Sequence, residues 1–86
     1  MTELEKAFEA AKARVMELKE KPSNDKLLEL YSLNKQATIG DINIDKPVMF
    51  DFVAQAKYNA WEKKKGMSKE AAMEAYISFV DQLFKE

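Results

Sequence analysis

Apolar residues recur at spacings of three and four along most of the chain, which is the period of amphipathic helices. The first such stripe follows a capping box that begins at Thr2 and predicts a helix over about residues 3–19. A second helix is predicted to begin at an N-cap formed by Ser23 or Asn24 and to end near Gly40. The first half of the chain therefore contains two helices joined by a short connection.

The second half contains two further helices after a longer connection. Residues 40–47 are rich in turn formers and have no helical period, so they predict an ordered overhand loop. The third helix opens at Phe50 or Asp51 and is expected to end at Gly66 with a left-handed C-cap, and Ser68 caps a fourth helix that continues to the end of the chain. The apolar stripes expected on these two helices are Val53, Ala56, Ala60 and Trp61, then Ala72, Ala75, Tyr76, Phe79, Val80 and Leu83. The sequence predicts an all-α bundle of four helices.

Composition limits the kinds of function that fit this bundle. The 86 residues suffice for one domain, residues 1–86, and contain neither Cys nor His, so the commonest thiolate and imidazole groups of enzymes and metal sites are missing. A net charge of −1 argues against a nucleic-acid binder. No apolar run reaches the roughly 20 residues of a membrane span, and the first residues lack a hydrophobic signal region, so we expect a cytoplasmic protein.

A few polar residues do not fit a plain bundle. Tyr31, Asn34 and Lys35 share one surface of the second helix, and Lys57 interrupts the apolar stripe of the third. These lysines either extend along their apolar stems to water or form an anion site together with Tyr31. Tyr76 is in the same way either a core aromatic or part of a site. Periodicity alone leaves these alternatives open.

Several blocks in the right order resemble the acyl-CoA binding protein family, also called diazepam-binding inhibitor. The blocks are Tyr-Ser-Leu-Asn-Lys-Gln-Ala-Thr-Ile-Gly-Asp at 31–41, Ala-Lys-Tyr-Asn-Ala-Trp at 56–61, Lys-Gly-Met-Ser-Lys-Glu-Ala at 65–71 and Ala-Tyr-Ile at 75–77. The resemblance covers essentially the whole chain. It implies a bundle in up-down-down-up order, with a bowl for the nucleotide head of the ligand.

The resemblance also implies a set of ligand contacts. Tyr31, Lys35 and Lys57 match the family residues that bind the ribose 3′-phosphate, and Tyr76 matches a contact to the nucleotide end. Ligand contacts are expected from Tyr31, Ser32, Leu33, Asn34, Lys35, Lys57, Tyr76, Lys12 and Met16. Asn34 stands where the family typically has a second aromatic, Met16 stands at a family lysine, and Lys12 lies one turn before it on the same face.

The function implied by the resemblance is that of an intracellular carrier and buffer for medium- and long-chain fatty acyl-CoA, in lipid metabolism, without catalysis. We expect no metal and no cofactor, a monomer, no nucleic-acid partner, no stable membrane insertion and transient contact with enzymes that use acyl-CoA. A helical interaction or signalling module is the main alternative. A thioesterase is a third, although no serine has a visible base beside it.

Overall fold

The computed structural model describes residues 1–86 and consists of four α-helices without strands. The helices are α1 (Glu3–Val15), α2 (Asn24–Thr38), α3 (Phe52–Glu62) and α4 (Lys69–Lys85). Each helix starts after an N-cap residue whose side chain accepts a hydrogen bond from a backbone N–H of the first turn. In chain order, the N-cap residues are Thr2, Ser23, Asp51 and Ser68. Because such caps pair N–H groups that otherwise lack a partner, the helix starts are encoded locally. The predicted all-α fold and its four helices are confirmed.

Helices α1 and α4 run parallel to each other. The ring of Phe8 meets the ring of Tyr76 edge to face, with centroids 5.1 Å apart. About one and a half turns further along both helices, the guanidinium of Arg14 pairs with the carboxylate of Asp81. Residues far apart in sequence thus form one side of the core.

Helix α2 runs antiparallel to α4. Near its start, Lys26 pairs with the carboxylate of Glu86. Near its end, Gln36 Nε2 donates to the backbone carbonyl of Met67, which lies just before α4. Since α1 also packs on α4 while α1 and α2 do not pack on each other, α4 lies between them.

Helix α3 lies beside α2 on the other side and is parallel to it. Asn24 and Phe52 line one end of the cleft between them, and Lys35 lies near Trp61 at the other end. A parallel pair requires the intervening loop to return along the full length of the helices. The predicted overhand loop and the up-down-down-up order are therefore confirmed.

The core is built mainly from α1, α2 and α4. Its nine buried residues are Phe8, Ala11, Leu30, Leu33, Ala37, Ala72, Tyr76, Val80 and Leu83. Helix α3 contributes a single buried side chain, Trp61, which is 1% exposed. Its indole N–H donates to the carbonyl of Gly40 at 2.9 Å, so this residue fixes α3 to the start of the overhand loop. None of the four helices is both long and apolar enough to span a bilayer.

A polar cluster joins the overhand loop to the turn before α4. Asp41 Oδ1 accepts hydrogen bonds from the backbone N–H of Gly66 at 2.8 Å and from Gln36 Nε2 at 2.9 Å. These two donors, the Gly66 N–H first, hold the pKa of Asp41 below its ordinary value of 3.8. Gln36 is fully buried, so its amide specifies where the loop lies.

The predicted ends of two helices were wrong. Helix α1 ends at Val15 rather than near residue 19, because the N–H groups of Met16, Glu17 and Leu18 bond to carbonyls only three residues back. Bonds of this kind tighten the chain and end the α-helix. Leu18 nevertheless packs against the core, which explains why the apolar pattern continued past the helix.

Helix α3 ends at Glu62, four residues before the expected glycine cap. The lysine run 63–65 forms a tight turn, in which Lys64 and Lys65 donate to carbonyls three residues earlier. Gly66 has a φ of 92°, as expected, but it ends this turn rather than the helix. The predicted stripe of α3 was also wrong at Val53, which is 68% exposed.

Candidate functional site

Two lysines converge on the ring of Tyr31 at the interface of α2 and α3. Lys35, one turn further along α2, places its ammonium nitrogen 5.7 Å from the centre of the ring. Lys57, on α3, places its own at 5.4 Å. Both distances allow a cation–π attraction, which helps to hold two like charges near one another. The structure thus brings together the three residues predicted to form an anion site.

Neither ammonium of this site is neutralised by a carboxylate. The five ion pairs within 4.0 Å use Lys6, Lys12, Arg14, Lys26 and Lys64. Lys35 is half-buried and also lies 5.9 Å from the ring centre of Trp61, whereas Lys57 is exposed. Two unpaired cations beside a phenol hydroxyl form a set of donors suited to a doubly charged anion such as a phosphate.

An apolar groove begins at this cationic site and follows the cleft between α2 and α3. Its volume is about 390 Å³, and six of its eight lining residues are apolar. The lining consists of Asn24, Leu27, Leu28, Tyr31, Phe52, Val53, Ala56 and Lys57. From Asn24 to Tyr31 the groove follows two turns of α2, roughly 10 Å. Tyr31 and Lys57 belong both to the groove and to the anion site, so one ligand with an apolar and an anionic part can occupy both.

Asn34 contributes an unused polar group next to the site on α2. Its side chain is half-buried, and the buried Oδ1 has no hydrogen-bond partner. A buried amide oxygen without a donor is a costly feature, and because this oxygen is shielded from solvent, a ligand on the surface reaches it only if the side chain turns outward. Elsewhere, no cluster of three or more carboxylates is close enough to hold a metal ion.

Ser32 and Leu33 lie on the opposite side of α2 and face the core. Ser32 is 0% and Leu33 2% exposed. The hydroxyl of Ser32 donates to the carbonyl of Glu29 at 3.0 Å, within its own helix. In this conformation their side chains hold the bundle together and are out of reach of a ligand on the surface.

The remaining predicted contacts are Lys12 on α1, Met16 just after it and Tyr76 on α4. Lys12 pairs with Glu9 at 2.9 Å, and its ammonium lies 4.7 Å from the ring centre of Phe8, which in turn packs on Tyr76. Tyr76 is 6% exposed, and burial raises the pKa of its phenol. Met16 is 85% exposed at the end of α1. Lys12 and Tyr76 thus meet through Phe8 at the α1–α4 interface, and Met16 is not joined to them.

The apolar groove and the segment leading into it were not predicted from the sequence. Leu27, Leu28 and Phe52 line the groove but were given no role in a site. Residues 48–53, at the junction of the loop and α3, contain five apolar residues in six. That run was the available signal, since apart from Val53 its apolar residues belong to no predicted helix stripe and have no predicted partner.

Comparisons with known proteins match this arrangement along most of the chain. Residues 5–80 match the family model described as Acyl CoA binding protein. The chain is 51% identical over 77 residues to acyl-CoA-binding protein homolog 1 of Caenorhabditis elegans, covering 90% of each chain, and 51% identical over 76 residues to the acyl-CoA-binding protein of Dictyostelium discoideum, covering 88% of this chain and 90% of that one. The crystal structure of Oryza sativa Acyl-CoA-Binding Protein 2 superposes with a TM-score of 0.91 at 38% identity, covering 95% of this chain and 91% of that one. The chain belongs to the acyl-CoA-binding protein family.

Proposed function

We propose that the protein binds medium- and long-chain fatty acyl esters of coenzyme A and acts as their carrier and buffer. The observation that supports this most directly is the junction at Tyr31 and Lys57, where an uncompensated cationic site opens into an apolar groove. Acyl-CoA carries both matching parts, a highly charged nucleotide head and an apolar tail. Family membership supports the same ligand.

The head of the ligand is held by its ribose 3′-phosphate. Lys35 and Lys57 donate charge-assisted hydrogen bonds to the phosphate oxygens, and the Tyr31 hydroxyl adds a third donor. Each such bond contributes about 1.5–3 kcal/mol net. The same anion offsets the repulsion between the two ammonium groups. The electrostatic energy of the site is therefore lower with the ligand than without it.

The acyl chain lies in the groove between α2 and α3. Each methylene removed from water contributes about 0.8 kcal/mol, so a chain of some ten buried methylenes rivals the phosphate contacts. Free coenzyme A lacks this term and a free fatty acid lacks the phosphate contacts. Selectivity for the thioester follows from the need for both parts.

The other predicted residues complete the proposed contact set in two ways. Asn34 turns its side chain outward to bind the nucleotide, which gives its unpaired oxygen a partner. Lys12 on α1, Met16 just after α1 and Tyr76 on α4 contact the part of the ligand that extends beyond α2. Ser32 and Leu33 are buried and act indirectly. They fix the rotation of α2 about its axis, so that Tyr31 and Lys35 face the ligand.

We further propose that the protein shields the thioester and does not cleave it, and that it needs no metal or cofactor. It acts as a cytoplasmic monomer that meets acyl-CoA-using enzymes transiently. The site supports this because its lysines act as positive charges toward phosphate and no hydroxyl near the groove is paired with a base.

Calorimetric titration with palmitoyl-CoA, free coenzyme A and palmitate, side by side, tests the proposal. The expected result is tight one-to-one binding of the thioester and much weaker binding of either half. Equal affinity for palmitate and the thioester would remove the role of the anion site. Release of free coenzyme A during incubation, measured with a thiol reagent, would contradict the absence of catalysis.

A further inference from the structure

The segment that leads into α3 exposes half of the ten large apolar side chains that the protein leaves in water. Residues 48–53 read Val-Met-Phe-Asp-Phe-Val, and their five apolar side chains are between 68% and 82% exposed. A contiguous group of exposed apolar side chains marks an interaction surface more often than a surface without function. We propose that this segment, here called the apolar tip, docks reversibly on a lipid bilayer. Its use in loading the groove from that bilayer rests on the function proposed above.

The backbone of the apolar tip is partly paired: the carbonyls of Val48 and Met49 and the N–H of Asp51 have partners, which lowers the cost of contact with the acyl region of a bilayer. Gln55 Nε2 donates to the carbonyl oxygens of Val48, at 2.9 Å, and Met49, at 2.6 Å. The backbone N–H of Asp51 donates to the carbonyl of Val48, and the Asp51 carboxylate accepts from the N–H of Ala54. Unpaired polar groups are costly where water is scarce. A side chain that covers two consecutive carbonyls lowers that cost.

The apolar tip is continuous with the groove. Phe52 and Val53 belong to both, and Ala56 and Lys57 line the groove one turn further along α3. An acyl chain that leaves a bilayer beneath the tip therefore meets apolar surface all the way to Tyr31. This continuity favours a lipid surface, because a protein partner has no need of a path into the groove.

Charge along the chain on either side of the apolar tip is balanced. Between residues 45 and 57 the charged side chains are Asp45, Lys46, Asp51 and Lys57, two of each sign. Attraction to anionic headgroups is therefore weak, and burial of apolar area drives the docking. Even one covalently attached acyl chain gives only marginal, reversible membrane binding, so five partly inserted side chains predict a transient contact with neutral bilayers.

A second copy of the chain is the alternative occupant of the apolar tip. A stable homodimer buries about 800 Å² on each partner. That area is more than an eighth of the total accessible surface of 5983 Å². The continuity of the tip with the groove favours a bilayer over a second copy, because a second copy supplies no acyl chain to the groove.

Flotation with neutral phosphatidylcholine vesicles tests the proposal. The test variant replaces Val48, Met49 and Phe50 by serine, three exposed residues that do not line the groove. The matched control is Phe84→Ser, which removes a 40% exposed aromatic on α4. We expect the triple variant to partition onto vesicles at least about tenfold less than wild type and the control to match wild type. Transfer of a fluorescent palmitoyl-CoA from vesicles should accelerate with vesicle concentration for wild type but not for the triple variant.

Equal flotation of wild type and the triple variant, or no flotation of wild type, would overturn the docking proposal. So would a dimer of the wild-type protein in sedimentation that the triple variant loses, because the occupant of the tip would then be a second copy. Calorimetry with palmitoyl-CoA without vesicles separates the two proposals. Unchanged affinity for palmitoyl-CoA in the triple variant would support the binding function, whatever the vesicle result. Absence of palmitoyl-CoA binding in wild type would refute the binding function, and flotation would still test the docking proposal.

Discussion

Removing either ammonium from the Tyr31 site should weaken acyl-CoA binding while leaving the fold intact. A charge-assisted hydrogen bond to phosphate contributes about 1.5–3 kcal/mol, and each 1.4 kcal/mol is a factor of ten in affinity. Lys35→Ala and Lys57→Ala are therefore each expected to raise Kd by a factor between about 10 and about 150. Ion pairs of comparable geometry near a surface attract by about 4 kcal/mol before desolvation is subtracted, which is consistent with this range.

The two substitutions should differ in size. Lys35 is half-buried between the rings of Tyr31 and Trp61, so water and salt screen its charge less. Lys57 is exposed, so its charge is screened more. We expect Lys35→Ala to fall in the upper half of the range and Lys57→Ala in the lower half. Neither lysine has a carboxylate partner to lose and each loses only cation–π contacts, so the free energy of unfolding should change by no more than about 1 kcal/mol.

Calorimetry with two thioesters isolates the phosphate contact. The first ligand is palmitoyl-CoA, and the second is its analogue without the 3′-phosphate. Wild type should prefer the first strongly, and the two lysine variants should have lost most of that preference. Lys63→Ala removes an exposed lysine without an ion pair just beyond α3 and serves as the control. If the folded variants bind palmitoyl-CoA as wild type does, or lose the same factor for both thioesters, the phosphate assignment is refuted.

Three further predictions concern the connections that hold α3 and the overhand loop. Trp61→Phe leaves the carbonyl of Gly40 without its donor and should lower the free energy of unfolding by about 1–3 kcal/mol in a urea titration; an unchanged midpoint would mean that water replaces the indole. Because its pKa is lowered by folding, Asp41 stabilises the protein fully above pH 3.8 and progressively less as the pH falls through its folded pKa. Thermal midpoints of Asp41→Asn should therefore decline less between about pH 4 and pH 2 than those of wild type, and parallel curves would count against the role of the carboxylate. Gly66→Ala should cost about 1–2 kcal/mol through its φ of 92° alone, since no atom lies within 4 Å of the added Cβ, and a thermal midpoint equal to that of wild type would contradict this.

The helix starts were predictable because their signals are local. Thr2, Ser23 and Ser68 are each followed within three residues by the backbone N–H that they cap, so no distant contact is needed. Helix ends were less predictable. The apolar stripe of the first helix continues to Leu18 because that side chain packs on the core from a tight turn, and periodicity does not distinguish the two backbones.

The candidate site was predictable only in part. Lys57 stood out from an apolar stripe, and the resemblance gave it a role beside Tyr31 and Lys35. The groove and the apolar tip depend on which surfaces α3 leaves uncovered, and that is a property of packing between helices. Gln36 shows the same limit, because its burial and its bonds to Asp41 arise from segments that are distant in sequence.

The parallel contact between α1 and α4 has a consequence for folding during synthesis on the ribosome. The partners of Phe8 and Arg14 lie 68 and 67 positions later in the chain. The apolar face of α1 therefore stays exposed until α4 has been synthesised. Contacts of such sequence separation slow folding, because a long loop must close before they form. Nascent chains that end before α4 should therefore remain sensitive to proteases, and chaperones that recognise exposed apolar helices should meet this protein mainly during its synthesis.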